Sequence, residues 1–267
     1  MKPKLYLECY AGISGDMTVA ALLDLGASKE NLQKVLASVP IKGYEIQITK
    51  VKKQGLEVND FNVLLDKPLE NHDHDMKYLH THHEHHQETP HMHRHLKDIE
   101  EIIDQTKMKE NAKKIAKKIF HILAEAEAKA HGISVQEVHF HEVGAIDSII
   151  DIIAIAFCID DLQITDVIVP SLYEGKGWVH CQHGKIPIPV PATLNIVSTY
   201  HIPMHLLEVE GELVTPTGAA LVAALRTEEK LPPFYQVLKV GMGAGKREYE
   251  TSGILRAMLI TEVPKEK

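Results

Sequence analysis

The amino-acid sequence predicts an α+β or mixed α/β fold, with helices packed on small mixed sheets in one body or two lobes. Three observations carry this. Apolar residues recur at helical spacing, as at Ile115, Ile119, Ile122, Leu123 and Ala126. Short alternating runs interleave with the helical segments, as at Tyr44, Ile46 and Ile48. Between residues 66 and 95 both patterns stop in a polar, histidine-rich stretch.

The chain opens on a strand, Lys4 to Cys9, and enters the Gly-rich turn Ala11-Gly-Ile-Ser-Gly-Asp-Met17. A helix follows from about Met17 to Leu25. Gly26 ends it, because glycine takes the left-handed conformation that closes a helix. Ser28 caps a second helix to about Ser38. Strands Tyr44 to Val51 and Val58 to Leu65 complete an N-terminal part, residues 1–65. Residues 66–95 have too little apolar surface to offset their ordering entropy, so a disordered loop is expected. The main part, residues 96–267, resumes with helical signals, the longest from Lys109 to His131 before Gly132. Ser134 to Glu137 reads as a capping box. After the motif His139–Asp147, a very apolar helix runs to about Asp161, and Val167 to Val169 reads as a buried strand. Gly- and Pro-rich loops with short helices follow, then final strands at Tyr235 to Val240 and Gly253 to Thr261.

The 267 residues carry a formal net charge of -8, which argues against nucleic acid and anionic membrane surfaces as partners. No apolar run is long enough to span a membrane, and the first residues lack the basic head and apolar stretch of a signal peptide. Three widely spaced cysteines, Cys9, Cys158 and Cys181, suit a reducing compartment, so a cytoplasmic location is expected.

The abnormal feature is histidine. There are 18, and ten lie between His72 and His95. Neutral imidazole binds nickel, copper and zinc well. A flexible tract can capture such ions but cannot fix a reacting centre. The plainer alternative is a polar linker.

The ordered candidates are more specific. His139 and His141 point the same way on an extended backbone, and Glu142 adds a carboxylate. Asp147 and Asp151 share one face of an otherwise apolar helix, where carboxylates are costly unless paired with a cation or well hydrogen-bonded. The alternative is that Asp147 caps the helix and Asp151 lies at an exposed edge. Asp16 and His183 are further candidate ligands, each also explicable as a cap or a turn residue. The loop carrying Gly12, Ser14 and Gly15 precedes a helix N-terminus and suits a phosphate. Thr215 and Thr217 precede another helix. Gly241 to Gly245, with Gly243 and Gly245, reads as a flexible turn that lets backbone approach a ligand, and Lys246 and Arg247 suit a phosphate.

Together these stretches resemble the LarC family, which inserts nickel into the pincer nucleotide cofactor of lactate racemase and related enzymes. The resemblance rests on Tyr6–Met17, His139–Ser148, His183–Ala192, Gly211–Ala220 and Gly243–Arg247, which span the chain in order. Glu8 stands where the family pattern has aspartate, and Ser252-Gly253 where it has Pro-Asn. The resemblance implies two substrates, nickel ion and a pyridinium mononucleotide bearing two thiocarboxylates, and a chelatase-type lyase reaction. It also implies CTP with manganese or magnesium. Full-length members continue into a C-terminal region associated with CTP, a companion this chain of 267 residues is expected to need. The metal ligands would come from Asp16, His139, His141, Asp147, Asp151 and His183. His141 or Glu142 would serve as base for the ring proton. The rival reading is a non-catalytic nickel store or chaperone using the histidine tract. A third is a phosphate-ester enzyme using Asp16, Asp147 and a hard metal. A homo-oligomer is compatible with all three.

Overall fold

The computed structural model describes residues 2–66, 94–138, 140, 146–181 and 184–263. Its centre is a six-stranded mixed sheet in the order β2-β3-β9-β10-β1-β4. These strands are β1 (Lys4–Glu8), β2 (Tyr44–Lys53), β3 (Leu56–Leu65), β4 (Val167–Ile168), β9 (Tyr235–Ala244) and β10 (Ile254–Glu262). β1 lies antiparallel to β10 with Leu5 opposite Leu259, and parallel to β4 with Tyr6 opposite Ile168. The first and the last strand among the described residues are therefore neighbours. β3 joins β9 in parallel at Asn59 and Gly243, so the N-terminal and main parts share one sheet.

Helix α1 (Gly15–Leu25) lies on β9, β10 and β3, and α5 (Ile146–Asp161) lies on α1. Both helices are apolar almost all round, the pattern of helices buried on every side. In α5, Ile149, Ile150, Ile152, Ile153 and Ile155 are all fully buried, each contributing about 2 kcal/mol of hydrophobic stabilisation. α4 (Glu110–His131) covers α5 and also meets α6 (Pro191–Thr199) and α7 (Pro216–Leu225). The flanking helices α2 (Lys29–Leu36) and α3 (Leu96–Gln105) pack on α5 and α4. On the sheet's other face Tyr6, Ile168, Met258 and Ile260 form a small cluster closed by Leu231.

The caps follow the sequence. Gly26 (φ +119°) and Gly132 (φ +68°) close α1 and α4 in the left-handed conformation. The Ser28 hydroxyl accepts from Asn31 N–H at 3.2 Å, and Ser134 and Glu137 form the expected capping box.

Three expectations are corrected. The stretch between residues 170 and 210 is not only loops and helices. It holds a parallel pair, β5 (Leu172–Lys176) and β8 (Met204–Glu210), and a hairpin, β6 (Trp178–Cys181) and β7 (Gly184–Pro187). Gly241 to Ala244 belong to strand β9, not to a turn. The histidine-rich stretch ends earlier than 95, because Arg94 bridges Phe140 and His95 caps α3 reciprocally with Asp98. Residues 67–93 of the expected disordered loop lie outside the described residues.

Candidate functional site

Three of the sequence motifs meet at the N-terminus of α1. Ile13 N–H donates to the Leu213 carbonyl at 2.9 Å, and Thr215 N–H donates to the Ile13 carbonyl at 3.2 Å. This approach requires glycines. A β-carbon on Gly12 (φ +86°) would run into the Leu213 carbonyl, and one on Gly218 into that of Ile13. Thr215 caps α7 by accepting from Gly218 N–H at 3.1 Å, and Thr217 is buried behind it.

From the opposite side α5 delivers Asp151. Its carboxylate lies against Gly15, where a β-carbon would come within 2.5 Å of Oδ2. The backbone N–H of Asp16 faces it and favours its charged form. The helix-terminal amide that the sequence suggested for a phosphate is thus directed at a carboxylate of the protein, by the same attraction of N–H groups and helix dipole for an anion. The Ser14 hydroxyl donates to Asp16 Oδ1. Asp147, one turn before Asp151, accepts from Ser148 N–H at 2.8 Å.

This crowding shifts protonation. Burial, then the charges of Asp16 and Asp147, push the Asp151 carboxyl well above the usual range, against the opposing pull of Lys246. Burial also raises Asp16, while Ser14 and Lys246 pull it down. Asp151 Oδ1 is enclosed and has no hydrogen-bond partner among the described residues. A cation would relieve both the repulsion and the orphaned oxygen. Asp151 is therefore not an exposed edge. Among the described residues, though, no three His, Cys, Asp or Glu side chains are arranged to hold a metal ion. The remaining candidates, His139, His141, Glu142 and His183, lie outside the described residues.

The C-terminal motif serves packing. The place of a side chain at Gly243 is taken by the α1 backbone at Met17 and Ala21, and that at Gly241 by Ala21 and Leu25. Gly245 donates its N–H to the Gly253 carbonyl at 2.8 Å, with the Met17 sulfur close by. Lys246 and Arg247, expected to meet a phosphate, are paired with Asp60 and, at 3.2 Å, with Glu212. Arg247 also reaches the Tyr249 hydroxyl at 3.3 Å.

One residue escaped the sequence reading. Glu174, in β5, is fully buried. Its Oε1 accepts from the N–H groups of Leu213 (2.6 Å), Gly175 (2.8 Å) and Val214 (3.1 Å), while Oε2 has no partner. Burial raises its pKa to about 7 despite these donors. Glu174 holds the loop that carries Leu213 and so sets the surface against which Gly12 and Ile13 rest. A single acid in Leu172-Tyr-Glu-Gly-Lys176 looks like any solvent-facing glutamate, so nothing in the sequence marks it.

No described helix is long and apolar enough to cross a membrane. A family model described as "Nickel insertion protein" matches residues 5–267. The chain is 50% identical to the pyridinium-3,5-bisthiocarboxylic acid mononucleotide nickel insertion protein of Alkaliphilus metalliredigens, over 98% of this chain and 61% of that one. Proteins of the same description from Acetivibrio thermocellus and Clostridium kluyveri are 41% and 42% identical, each over 98% of this chain and over 61% and 63% of their own lengths. The chain thus spans less than two thirds of these curated relatives. No solved structure matches it.

Proposed function

The chain belongs to the nickel insertion family, and from that premise we propose that it takes part in placing nickel into pyridinium-3,5-bisthiocarboxylic acid mononucleotide, acting as the N-terminal part of a nickel-inserting lyase. The observation that carries this is the half-buried Asp16–Asp151 pair at Gly15, with an enclosed, unpartnered Asp151 oxygen and raised protonation that a cation would relieve.

Nickel is a substrate here, so the protein must hold it weakly enough to release it to two sulfurs. Carboxylate with imidazole suits that better than a closed thiolate cage. Asp16, Asp147 and Asp151 supply the carboxylates, and His139, His141 and His183 are the proposed imidazoles. Forming the nickel–carbon bond replaces a ring C–H by C–Ni and releases one proton, which His141 or Glu142 would accept. Carboxylate oxygen is also a ligand for hard divalent ions, here with further ligands from outside the described residues. This fits manganese or magnesium accompanying CTP, whose own site we place in a companion C-terminal region.

The test is incubation of the chain with nickel and the unmetallated mononucleotide, with and without CTP, manganese and the companion region, following nickel incorporation by mass spectrometry. Asp151→Asn and Asp16→Asn should each lose most of the transfer. Wild-type rates in both variants would sink the assignment of these carboxylates.

A further inference from the structure

A second feature lies on the other face of the loop that carries Gly12 and Ser14. At the C-terminal ends of the parallel strands β1 and β4 a cleft of about 400 Å³ opens between Tyr6, Tyr10, Pro170, Tyr173, Lys230 and Leu231. Such crevices beyond the carboxyl ends of parallel strands are where α/β sheets receive ligands, and the volume is in the range of small-molecule sites. Its walls are aromatic. Tyr10 meets Tyr173 edge-on with ring centroids 4.8 Å apart, and Tyr173 stacks on His205 at 4.6 Å, the two residues being register partners in β5 and β8. Tyr10 is nevertheless 53% exposed. A large aromatic ring left open over a cleft, with its partner ring already fixed, is a platform for a flat ligand.

The charges at the rim are uneven. Glu229 is answered by Arg226 at 3.8 Å, and Glu8 by Arg256. Lys230 lines the cleft, is exposed, and has no ion pair among the described residues. The cleft thus offers electron-rich ring faces for a cationic ring and one uncommitted ammonium for an anion.

We infer that this cleft binds the pyridinium mononucleotide, its ring on Tyr10 and its phosphate at Lys230. This rests on the nickel-insertion reading for the identity of the ligand, and it moves the nucleotide from the Gly12–Gly15 loop to the Tyr10 side of it. One loop, Cys9 to Ser14, then joins the cleft to the carboxylates, so the ring and the metal approach from its two ends.

The experiment is calorimetric titration of the chain with nicotinic acid mononucleotide, a pyridinium mononucleotide that needs no metal. Tyr10→Leu and Lys230→Glu, both at exposed positions, should each weaken binding about tenfold, the loss of one cation–π or phosphate contact. Tyr10→Phe should bind like the unaltered chain, and Trp178→Leu, an exposed aromatic outside the cleft, should do the same. Unchanged affinity in both Tyr10→Leu and Lys230→Glu overturns the inference, as does failure of the unaltered chain to bind the probe. Nickel transfer to the dithio mononucleotide, assayed separately, then decides whether the reading beneath it also falls. Loss of cleft binding with transfer intact refutes the cleft alone.

Discussion

The Asp151 carboxylate occupies the space a side chain at residue 15 would need, with Oδ2 2.5 Å from the place of a Gly15 β-carbon. Helix propensity alone would favour alanine there by about 1 kcal/mol. The contact decides otherwise, because the Asp151 β-carbon at 2.9 Å blocks the same space and cannot swing aside with the carboxylate. Gly15→Ala should therefore lose about 1–3 kcal/mol of stability in denaturant unfolding. An unchanged midpoint would mean that α5 does not press on α1 here.

Asp151→Asn is expected to act in the opposite direction on stability. It removes a like-charge repulsion from Asp16 and Asp147 while keeping the shape and an oxygen beside the Asp16 N–H. The variant should unfold no earlier than the parent at pH 7, and up to about 2 kcal/mol later. Nickel transfer should fall at the same time. A variant that lost both stability and transfer would mark Asp151 as a structural residue.

Glu174 sets a pH dependence. Its pKa is raised from the ordinary 4.5 to about 7, so the folded state holds an extra proton between those values. The unfolded chain gives that proton up sooner, so the stability Glu174 contributes is fully present below about 4.5 and is lost as pH rises towards 7. The difference is on the order of 3 kcal/mol. Glu174→Gln keeps an oxygen for the three N–H donors, and its unfolding midpoint should lose this slope. A slope identical to wild type would show that Glu174 does not titrate in that interval.

Gly243→Ala probes packing. A side chain there meets α1 backbone, which has little freedom to yield. A loss of about 3 kcal/mol or more is expected from thermal unfolding. Full stability with weakened nucleotide binding would instead return Gly243 to the ligand role the sequence suggested.

The histidine tract can be removed without touching its structured end. Because His95 caps α3, the deletion should cover residues 72–93. Nickel transfer should survive at saturating nickel and fall when nickel is limiting. Loss of transfer at every nickel concentration would favour the storage reading.

What the sequence disclosed follows from how strongly local chemistry constrains it. Gly26, Ser28 and Gly132 act within one turn, and the helix ends they mark are where the chain placed them. Asp147 and Asp151 stood out because acids on an isoleucine-rich helix are costly without a reason, and Asp151 does lie against Gly15 rather than at an exposed edge. β8 was not, since most of Met204–Glu210 is exposed and lacks the alternation of a half-buried strand. β6 and β7 are four residues each and flanked by glycine, which breaks any pattern. Glu174, and the glycines that admit α1 or the Leu213 loop, depend on partners far away in the chain, and such pairings leave no periodic trace.

The place of β1 in the sheet bears on how the protein is made. Among the described residues β1 is the earliest strand in the chain and β10 the latest, yet the two are neighbours in the sheet. Until β9 has been made α1 lacks its glycine-lined floor, and until β10 has been made β1 lacks its antiparallel partner. Pairings of such long sequence separation are slow to form. The apolar face that α1 lays on β9 and β10 therefore stays uncovered until both strands have been made.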